Sequence, residues 1–209
     1  RQQGFFNFTF NNNKYNTDFY VNDTNSDAFN HINNKTNSSQ IILVGPNKSG
    51  KTLLGNIWKY NNNAQIFKNN FEYLISKKVN IFVDNYLEDL NENQLFHIIN
   101  HCNNYNLKIL ITSNQDLIDS KIKLLDLISR LKIFKPIKIL QPDDDMLRNL
   151  LTKYFVENQI IIKSNEIFEY IIRRTDRTYE GILKIANQID NLSLEKKREL
   201  TIPLIREIL

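Results

Sequence analysis

The segment GPNKSGKT, residues 45–52, has the residue types and spacing of a phosphate-binding loop, the P-loop. It matches the pattern GxxxxGK[ST] in full, directly after the apolar run QIILVG and directly before KTLLGNIWKY. A loop between a strand and a helix can wrap phosphates with its backbone N–H groups, and the helix dipole adds to this. The segment therefore predicts a nucleotide site, with contacts from Gly45, Pro46, Asn47, Lys48, Ser49, Gly50, Lys51, Thr52 and Leu53.

Four polar side chains suit a nucleotide complex with Mg²⁺. Lys51 would reach the β- and γ-phosphates, and the Thr52 hydroxyl would ligate Mg²⁺. Asp84 ends the buried run VNIFVD and fits the acid that holds Mg²⁺ through water. Asn114 ends the apolar run LKILITSN, where a polar group could position an attacking water. Capping of a turn is the alternative role for Asn114.

Asn85 follows Asp84 at the position where hydrolytic ATPases usually keep a Glu or Asp that activates water. An Asn side chain is neutral and cannot accept a proton as a carboxylate can, although it can hydrogen-bond a water. We therefore expect slow or absent intrinsic ATP hydrolysis, with Asp84 still available for Mg²⁺.

Strands and helices alternate along the first two thirds of the chain, which predicts an α/β fold with a parallel sheet covered on both faces. The candidate strands are QIILVG (40–45), AQIF (64–67), VNIFVD (79–84), LKILITSN (107–114) and IFKPIKIL (133–140). Pro136 places the last of these at an edge of the sheet, because proline cannot donate to a strand ladder.

The remainder of the chain, from QPDDD (141–145) onward, has a helical pattern. Pro142 and the three acids suit a helix start, because carboxylates favour the positive end of the helix dipole. In LTIPLIREIL (200–209), Thr201 is a candidate N-cap and Pro203 lies in the first turn.

Composition is that of an ordinary soluble domain, with 41% hydrophobic and 24% charged residues among 209. The net charge of +4 comes from 27 basic and 23 acidic residues without a dense basic block, which favours a solvated surface of mixed charge. Cys102 is the only cysteine, so an intramolecular disulfide is excluded and a reducing cytoplasm is expected. The sequence has no run of 18 apolar residues, so we expect neither a membrane span nor secretion.

The order of motifs resembles the AAA+ ATPases: a P-loop, an acid-ended strand, a T-S-N strand end and then LLDLISRL (124–131). NTDFYVNDTNSDAFNHI (16–32) resembles the stretch that flanks adenine in the DnaA branch, and DRTYEGILKIANQID (176–190) resembles the lid helix with its nucleotide-sensing Arg. The resemblance implies an AAA+ P-loop NTPase, with helices on both sides of a parallel sheet and a small all-helical lid. We predict an N-terminal segment over 1–15, the α/β domain over 16–140 and the lid over 141–209.

Within that branch the chain is most similar to Hda-type DnaA-homologous proteins, from about residue 16 to the end. The Asp-Asn pair at 84–85, the segment SGKTLLGNIW and the ending LTIPLIREIL all resemble that family. We expect the DNA-binding domain of DnaA to be missing, because the sequence ends at Leu209. We also expect residues upstream of Arg1, because the chain does not begin with Met.

The resemblance also implies residue roles. Arg130 would be an arginine finger acting in trans, Asp84 the Walker B acid, and Asn114 the first sensor. Arg177 would be the second sensor, although Arg173 and Arg174 lie one turn earlier and could be confused with it. Tyr20 and Asn25 would flank the adenine.

The family has an N-terminal segment that binds the sliding clamp, built on Gln followed by alternating large apolar residues. QQGFFNF (2–8) offers Gln3, Phe6 and Phe8 in that register, with Gly4 where Leu is usual. Packing of these aromatic residues on the body of the protein is the alternative.

The resemblance implies a cytoplasmic regulator of replication initiation that promotes hydrolysis of ATP bound to DnaA. Its expected ligands are ADP or ATP with Mg²⁺, and its expected partners are DnaA and the sliding clamp (β subunit). DNA would be contacted mainly through the clamp, no membrane partner is expected, and a homodimer is left open. An autonomous ATPase that acts on DNA, such as a helicase loader or a truncated initiator, is the main alternative. A small-molecule P-loop kinase is disfavoured, because the lid segment lacks a dense Arg cluster.

His97 and His101 stand at i and i+4 on one predicted helix, a spacing that can bind zinc. No Glu follows His97, and the sequence shows no third ligand, so surface or half-buried histidines are the better interpretation.

Overall fold

The computed structural model describes residues 19–34, 38–68, 70–85, 91–115, 122–162, 164–196 and 200–209. The predicted clamp-binding residues Gln3, Phe6 and Phe8 lie outside the described residues. The backbone divides into two compact units. Unit 1 comprises residues up to Val21, Ala28–Val44 and Gly50–Ile137, and unit 2 comprises Asn22–Asp27, Gly45–Ser49 and Lys138–Leu209. The predicted domain boundaries after residues 15 and 140 stay predictions.

Unit 1 is built around a five-stranded sheet with the strand order β2-β3-β4-β1-β5. Its strands are Gln40–Val44 (β1), Gln65–Ile66 (β2), Ile81–Val83 (β3), Ile109–Ser113 (β4) and Lys135–Lys138 (β5). The pairs β1–β4, β3–β4 and β2–β3 are parallel. β5 forms an edge of the sheet, which confirms the prediction from Pro136.

Helices cover this sheet because its strands are apolar on both faces. The helices that begin in this part of the chain are Ser26–Asn33 (α1), Lys51–Asn61 (α2), Phe71–Ser76 (α3), Glu92–Asn104 (α4) and Leu125–Leu131 (α5). Ile42 and Val44 pack in one core cluster with Leu95 of α4 and Leu127 of α5. Alternate strand residues point to the opposite face, where Phe82 of β3 meets α2.

The contact between α2 and β3 depends on Gly55. A Cβ atom at Gly55 would overlap the Phe82 ring, closer than two non-bonded atoms can approach. Phe82 is fully buried, as are Leu54 and Ile57 on the inward side of α2. Gly55 therefore lets the helix that follows the P-loop lie directly on the Phe82 ring.

Unit 2 contains the predicted all-helical part of the chain, which is confirmed. Its helices are Asp144–Glu157 (α6), Glu166–Ile172 (α7), Tyr179–Lys196 (α8) and Ile202–Ile205 (α9). Asp143 caps α6 by accepting a hydrogen bond from Met146 N at 2.7 Å, as the acidic start predicts. The buried core side chains are Leu147, Leu151, Phe155, Ile167, Ile171, Ile172, Ile182, Ala186, Ile189, Leu200 and Ile205.

Thr201 occupies the N-cap position of α9, as predicted, although its side chain makes no capping hydrogen bond there. The sequence pattern did not predict α1 as a helix. It is only eight residues long, with Ala28 and Ile32 buried, and it is rich in Ser, Asp and Asn, which favour turns over helix interiors.

Among the described residues, no helix has both the length and the apolar character that a bilayer crossing needs.

The variant Gly55→Ala should lower the free energy of unfolding by about 1–3 kcal/mol, because the new methyl group overpacks the Phe82 ring. This effect should outweigh the gain of about 1 kcal/mol in helix propensity. Urea denaturation measures the change. Adding Phe82→Leu, which shortens the ring side chain, should recover part of the loss, whereas wild-type stability of Gly55→Ala alone would contradict the contact.

Candidate functional site

The turn from β1 into α2 brings backbone N–H groups to the carboxyl end of the sheet. Gly50 precedes the first helical residue and has φ 89, a left-handed conformation that favours glycine. A Cβ atom there would also lie 2.7 Å from the Phe19 ring. Leu54 N bonds Gly50 O at 3.0 Å, so the helix starts at once. The N–H groups of the first turn lack helical partners and can bind an anion.

Lys51 is the first residue of α2, and it is buried. Burial lowers the pKa of Lys51 from its ordinary value, and the Asp84 carboxylate partly opposes this effect. A buried ammonium group of this kind is stabilised by a ligand that carries negative charge. Thr52, the next residue, has an exposed side chain.

Asp84 is oriented by a residue that the motif analysis did not assign. Thr112 Oγ1 in β4 donates to Asp84 Oδ1 at 2.6 Å and accepts from Asn85 N at 2.7 Å. Thr112 is fully buried, so this arrangement is fixed from inside the sheet. Asn85 has φ 45, a left-handed conformation that Asn tolerates better than most residues. The T-S-N strand end carried the signal for Thr112, but only Asn114 was singled out.

Asn114 directly follows β4 and is exposed. Val44 at the end of β1 pairs in register with Ser113. Asn114 is therefore next to the strand end that leads into the P-loop, which suits a side chain that contacts a ligand there.

The first half of the P-loop belongs to unit 2. Ser49 N bonds Pro46 O at 3.3 Å, and Lys48 has φ 63, so residues 46–49 form a tight turn. The Ser49 hydroxyl is buried and has no hydrogen-bond partner within the part of the chain that the structure describes. A buried hydroxyl without a partner is destabilising by about 1–3 kcal/mol. A phosphate oxygen would accept its hydrogen bond, so the loop fits a phosphate-bearing ligand.

The two residues predicted to flank adenine differ in exposure. Tyr20 is 38% exposed, whereas Asn25 is almost fully buried. Asn25 Oδ1 accepts a hydrogen bond from Asn22 N at 3.0 Å, so this side chain shapes its own turn. Phe19 stacks on Phe29 with ring centroids 5.8 Å apart and covers Gly50. Phe19 was thus missed as a site residue, although it lies in the stretch 16–32 that resembles the adenine-flanking pattern.

Arg177 lies between α7 and α8 with an exposed side chain that forms an ion pair with Asp144 at the start of α6. The two neighbouring arginines are also exposed, and the Arg174 guanidinium lies 3.9 Å from the centroid of the Tyr170 ring. The assignment of Arg177 as the second sensor stays a prediction.

Arg130 lies in the last turn of α5 with its side chain exposed. Leu127 and Leu131 of the same helix are buried in the core of unit 1. The helix is therefore anchored on one side and presents Arg130 to solvent on the other, which an arginine finger acting on a partner requires.

The two histidines of α4 differ in exposure and in their contacts. His97 is exposed, whereas His101 is buried and its Nε2 lies 2.9 Å from Lys77 O. Among the described residues no group of three or more His, Cys, Asp or Glu side chains could hold a metal ion. His101 is thus a core residue, more buried than the sequence suggested.

Comparison with solved structures identifies the fold. Domain III of the replication initiation protein DnaA from Thermotoga maritima matches with a TM-score of 0.74, 16% identity, and coverage of 91% of this chain and 93% of that chain. AMPPCP-bound DnaA from Aquifex aeolicus matches with a TM-score of 0.65 and 16% identity, covering 86% of this chain and 66% of that chain. The RuvB Holliday junction branch migration motor of Thermotoga maritima matches with a TM-score of 0.60 and 16% identity, covering 81% of this chain and 60% of that chain. At this identity the likeness establishes the fold, and the predicted AAA+ architecture is confirmed.

The C-terminal part matches a protein-family model described as "Hda, lid domain" over residues 155–209. Residues 155–209 thus resemble an Hda lid domain, and the chain as a whole has a DnaA-like fold. No curated protein matches its sequence. The lid match agrees with the resemblance found in the segment 176–190 and in the C-terminal ending.

The variant Lys51→Met should raise the melting temperature of the ligand-free protein while abolishing the thermal shift on adding ADP and Mg²⁺. Because burial lowers the pKa of Lys51 below its unfolded value, the charged form opposes folding. The stability advantage of the variant should therefore shrink as the pH rises toward the ordinary lysine pKa of 10.5. Differential scanning fluorimetry between pH 7 and 10 tests both effects, and a variant less stable than wild type at pH 7 would contradict the argument.

Proposed function

We propose that this chain is a regulator of replication initiation that binds an adenine nucleotide and promotes hydrolysis of ATP bound to DnaA, together with the sliding clamp. The observation that carries the proposal is the combination of an Hda-type lid with an exposed Arg130 on a DnaA-like fold. A complete P-loop supports nucleotide binding.

The bound nucleotide stabilises the protein and is hydrolysed slowly or not at all. Lys51 and the P-loop N–H groups bind the phosphates, and Thr52 with Asp84 would hold Mg²⁺, the latter through water. Mg²⁺, when bound, neutralises charge on the phosphates. Thr112 holds Asp84 in place, but Asn85 cannot accept a proton. ADP is the proposed resident nucleotide, and its role would be to order the body and lid so that Arg130 faces outward.

Arg130 supplies the chemistry to the partner. A guanidinium provided in trans stabilises the charge that develops on the γ-phosphate and is worth roughly 10³–10⁵ in rate. Its position at the exposed end of a helix anchored by Leu127 and Leu131 gives the side chain a rigid base. Asn114 and Arg177 act as the first and second sensors of the chain's own nucleotide in this scheme.

The clamp provides localisation on DNA. Gln3, Phe6 and Phe8 are the proposed clamp contacts, so DNA is reached mainly through the clamp. An autonomous ATPase that loads a helicase or opens DNA is the competing function, and independent turnover with affinity for single-stranded DNA would favour it.

The variant Arg130→Ala should reduce stimulation of DnaA-bound ATP hydrolysis by about 10³-fold or to background, because the γ-phosphate loses its trans-acting charge. The assay follows hydrolysis of radiolabelled ATP preloaded on DnaA, with clamp and DNA present. Arg206→Ala, which removes an exposed arginine from the lid, is the matched control and should keep wild-type stimulation. Equal stimulation by Arg130→Ala and wild type would rule out this mechanism.

The purified chain alone should hydrolyse ATP far more slowly than about 1 s⁻¹, the lower end of ordinary enzyme turnover. The variant Asn85→Asp should raise this rate, by up to about 10²–10⁴-fold, because it adds a general base. Asp also tolerates the left-handed backbone at this position, so the change avoids strain. A wild-type rate near 1 s⁻¹ would instead support the autonomous ATPase.

A further inference from the structure

The segment Asn22–Asp27, here called the strap, is hydrogen-bonded to the start of the lid. Asn22 Nδ2 donates to both carboxylate oxygens of Asp143, at 2.9 and 3.1 Å. Leu140 N donates to Thr24 O at 2.9 Å. These contacts join residues more than a hundred positions apart, and the strap, which includes the first two residues of α1, groups with unit 2.

The strap also has hydrogen bonds within itself. Asn22 Oδ1 accepts from Thr24 N at 3.0 Å and from Thr24 Oγ1 at 2.6 Å, and Asn25 Oδ1 accepts from Asn22 N. Thr24 and Asn25 are both buried. Asn22 therefore closes the turn through its backbone N–H and its side-chain oxygen, and it attaches the turn to Asp143 through its side-chain N–H group.

The lid side of the attachment leads directly to Arg177. Asp143 caps α6 through Met146 N, and the next residue, Asp144, pairs with Arg177. Tyr179, at the start of α8, is 2% exposed and its hydroxyl donates to Leu140 O at 3.3 Å. Residues 140–144 therefore contact the strap on one side, and Arg177 and the start of α8 on the other.

The same stretch supports the P-loop. A Cβ atom on Gly45 would lie 2.9 Å from Ile139 Cβ, so the P-loop backbone lies directly against the residue before Leu140. Residues 139–144 thus touch the first P-loop residue, the strap and the lid, which are three elements predicted to contact different parts of the nucleotide.

We propose that Asn22 and Tyr179 are positioning residues that fix the strap to the lid, so that the lid sets how tightly the base of the nucleotide is held. This inference rests on the proposed nucleotide site. The strap lies in the stretch expected beside the adenine, and the lid carries Arg177. Movement of residues 140–144, at the start of the lid, would shift the strap through the Asn22–Asp143 and Thr24–Leu140 hydrogen bonds. The contact of the strap with the base and the position of Arg177 would therefore change together.

The test compares a ligand that has a base with one that lacks it. ADP and pyrophosphate, each with Mg²⁺, displace a fluorescent ADP analogue from the full-length protein. Asn22→Ala should weaken ADP binding about tenfold, the size of one charge-assisted hydrogen bond, and change pyrophosphate binding less than about twofold. Asn158→Ala removes an exposed lid amide at the far end of α6 and should leave both affinities unchanged.

Tyr179→Phe provides a second variant that keeps the buried ring and removes only the hydroxyl. Its affinity for ADP should fall, by less than in Asn22→Ala, while its affinity for pyrophosphate should again change less than its affinity for ADP. Equal losses for ADP and pyrophosphate, or no loss for ADP, in both variants would overturn the inference, because a general structural role does not distinguish the two ligands. The proposed nucleotide site would survive that result, since wild type would still bind ADP.

A double variant tests the connection to Arg177. If the lid transmits its position through Asn22, the combined loss of ADP affinity in Asn22→Ala/Arg177→Ala should be smaller than the product of the two single losses. Multiplicative losses would overturn transmission through this contact. Failure of wild type to bind either ligand would overturn the proposed nucleotide site, and this inference with it.

Discussion

The left-handed turn at Gly50 is the constraint on which the candidate site depends. Gly50 directly precedes Lys51, the first residue of α2, and its carbonyl accepts the helical hydrogen bond from Leu54 N. The N–H groups of a first helical turn can bind an anion. The Phe19 ring lies against Gly50, where a Cβ atom would lie 2.7 Å from it. Lys51 then becomes the first helical residue and is buried, with its charge partly balanced by Asp84. An anionic ligand is what this arrangement stabilises.

The parallel register of the sheet decides which polar groups meet at that edge. Val83 of β3 pairs with Ile111 of β4, which brings Asp84 level with Thr112. The Thr112 hydroxyl then donates to Asp84 and accepts from the backbone of Asn85, so one buried group holds both members of the Asp-Asn pair. An acid oriented in this way suits magnesium binding, whereas the neutral neighbour lacks the basicity that hydrolysis needs.

Much of the fold could be predicted because its signals are local. The apolar run 40–45, the glycines of the P-loop and the alternation of strands with helices predicted the α/β architecture, and Pro136 predicted an edge strand. The lid could be predicted from Asp143 and its acidic neighbours, since a helix start is decided within one turn. Helix α1 was not predicted, because it is only eight residues long and contains Ser, Asp and Asn, which favour turns over helix interiors.

The sequence by itself determined which chemical groups are present: a phosphate-binding loop, an acid followed by an amide, and an arginine in the segment LLDLISRL. Only the tertiary structure decided which of them have partners. Thr112 beneath Asp84, Phe19 against Gly50 and Asn22 on Asp143 are all contacts between distant positions. The physical reason is that apolar residues repeating every two or 3.6 positions determine which face of a strand or helix is buried. They do not determine which neighbouring element packs on that face, or in which register.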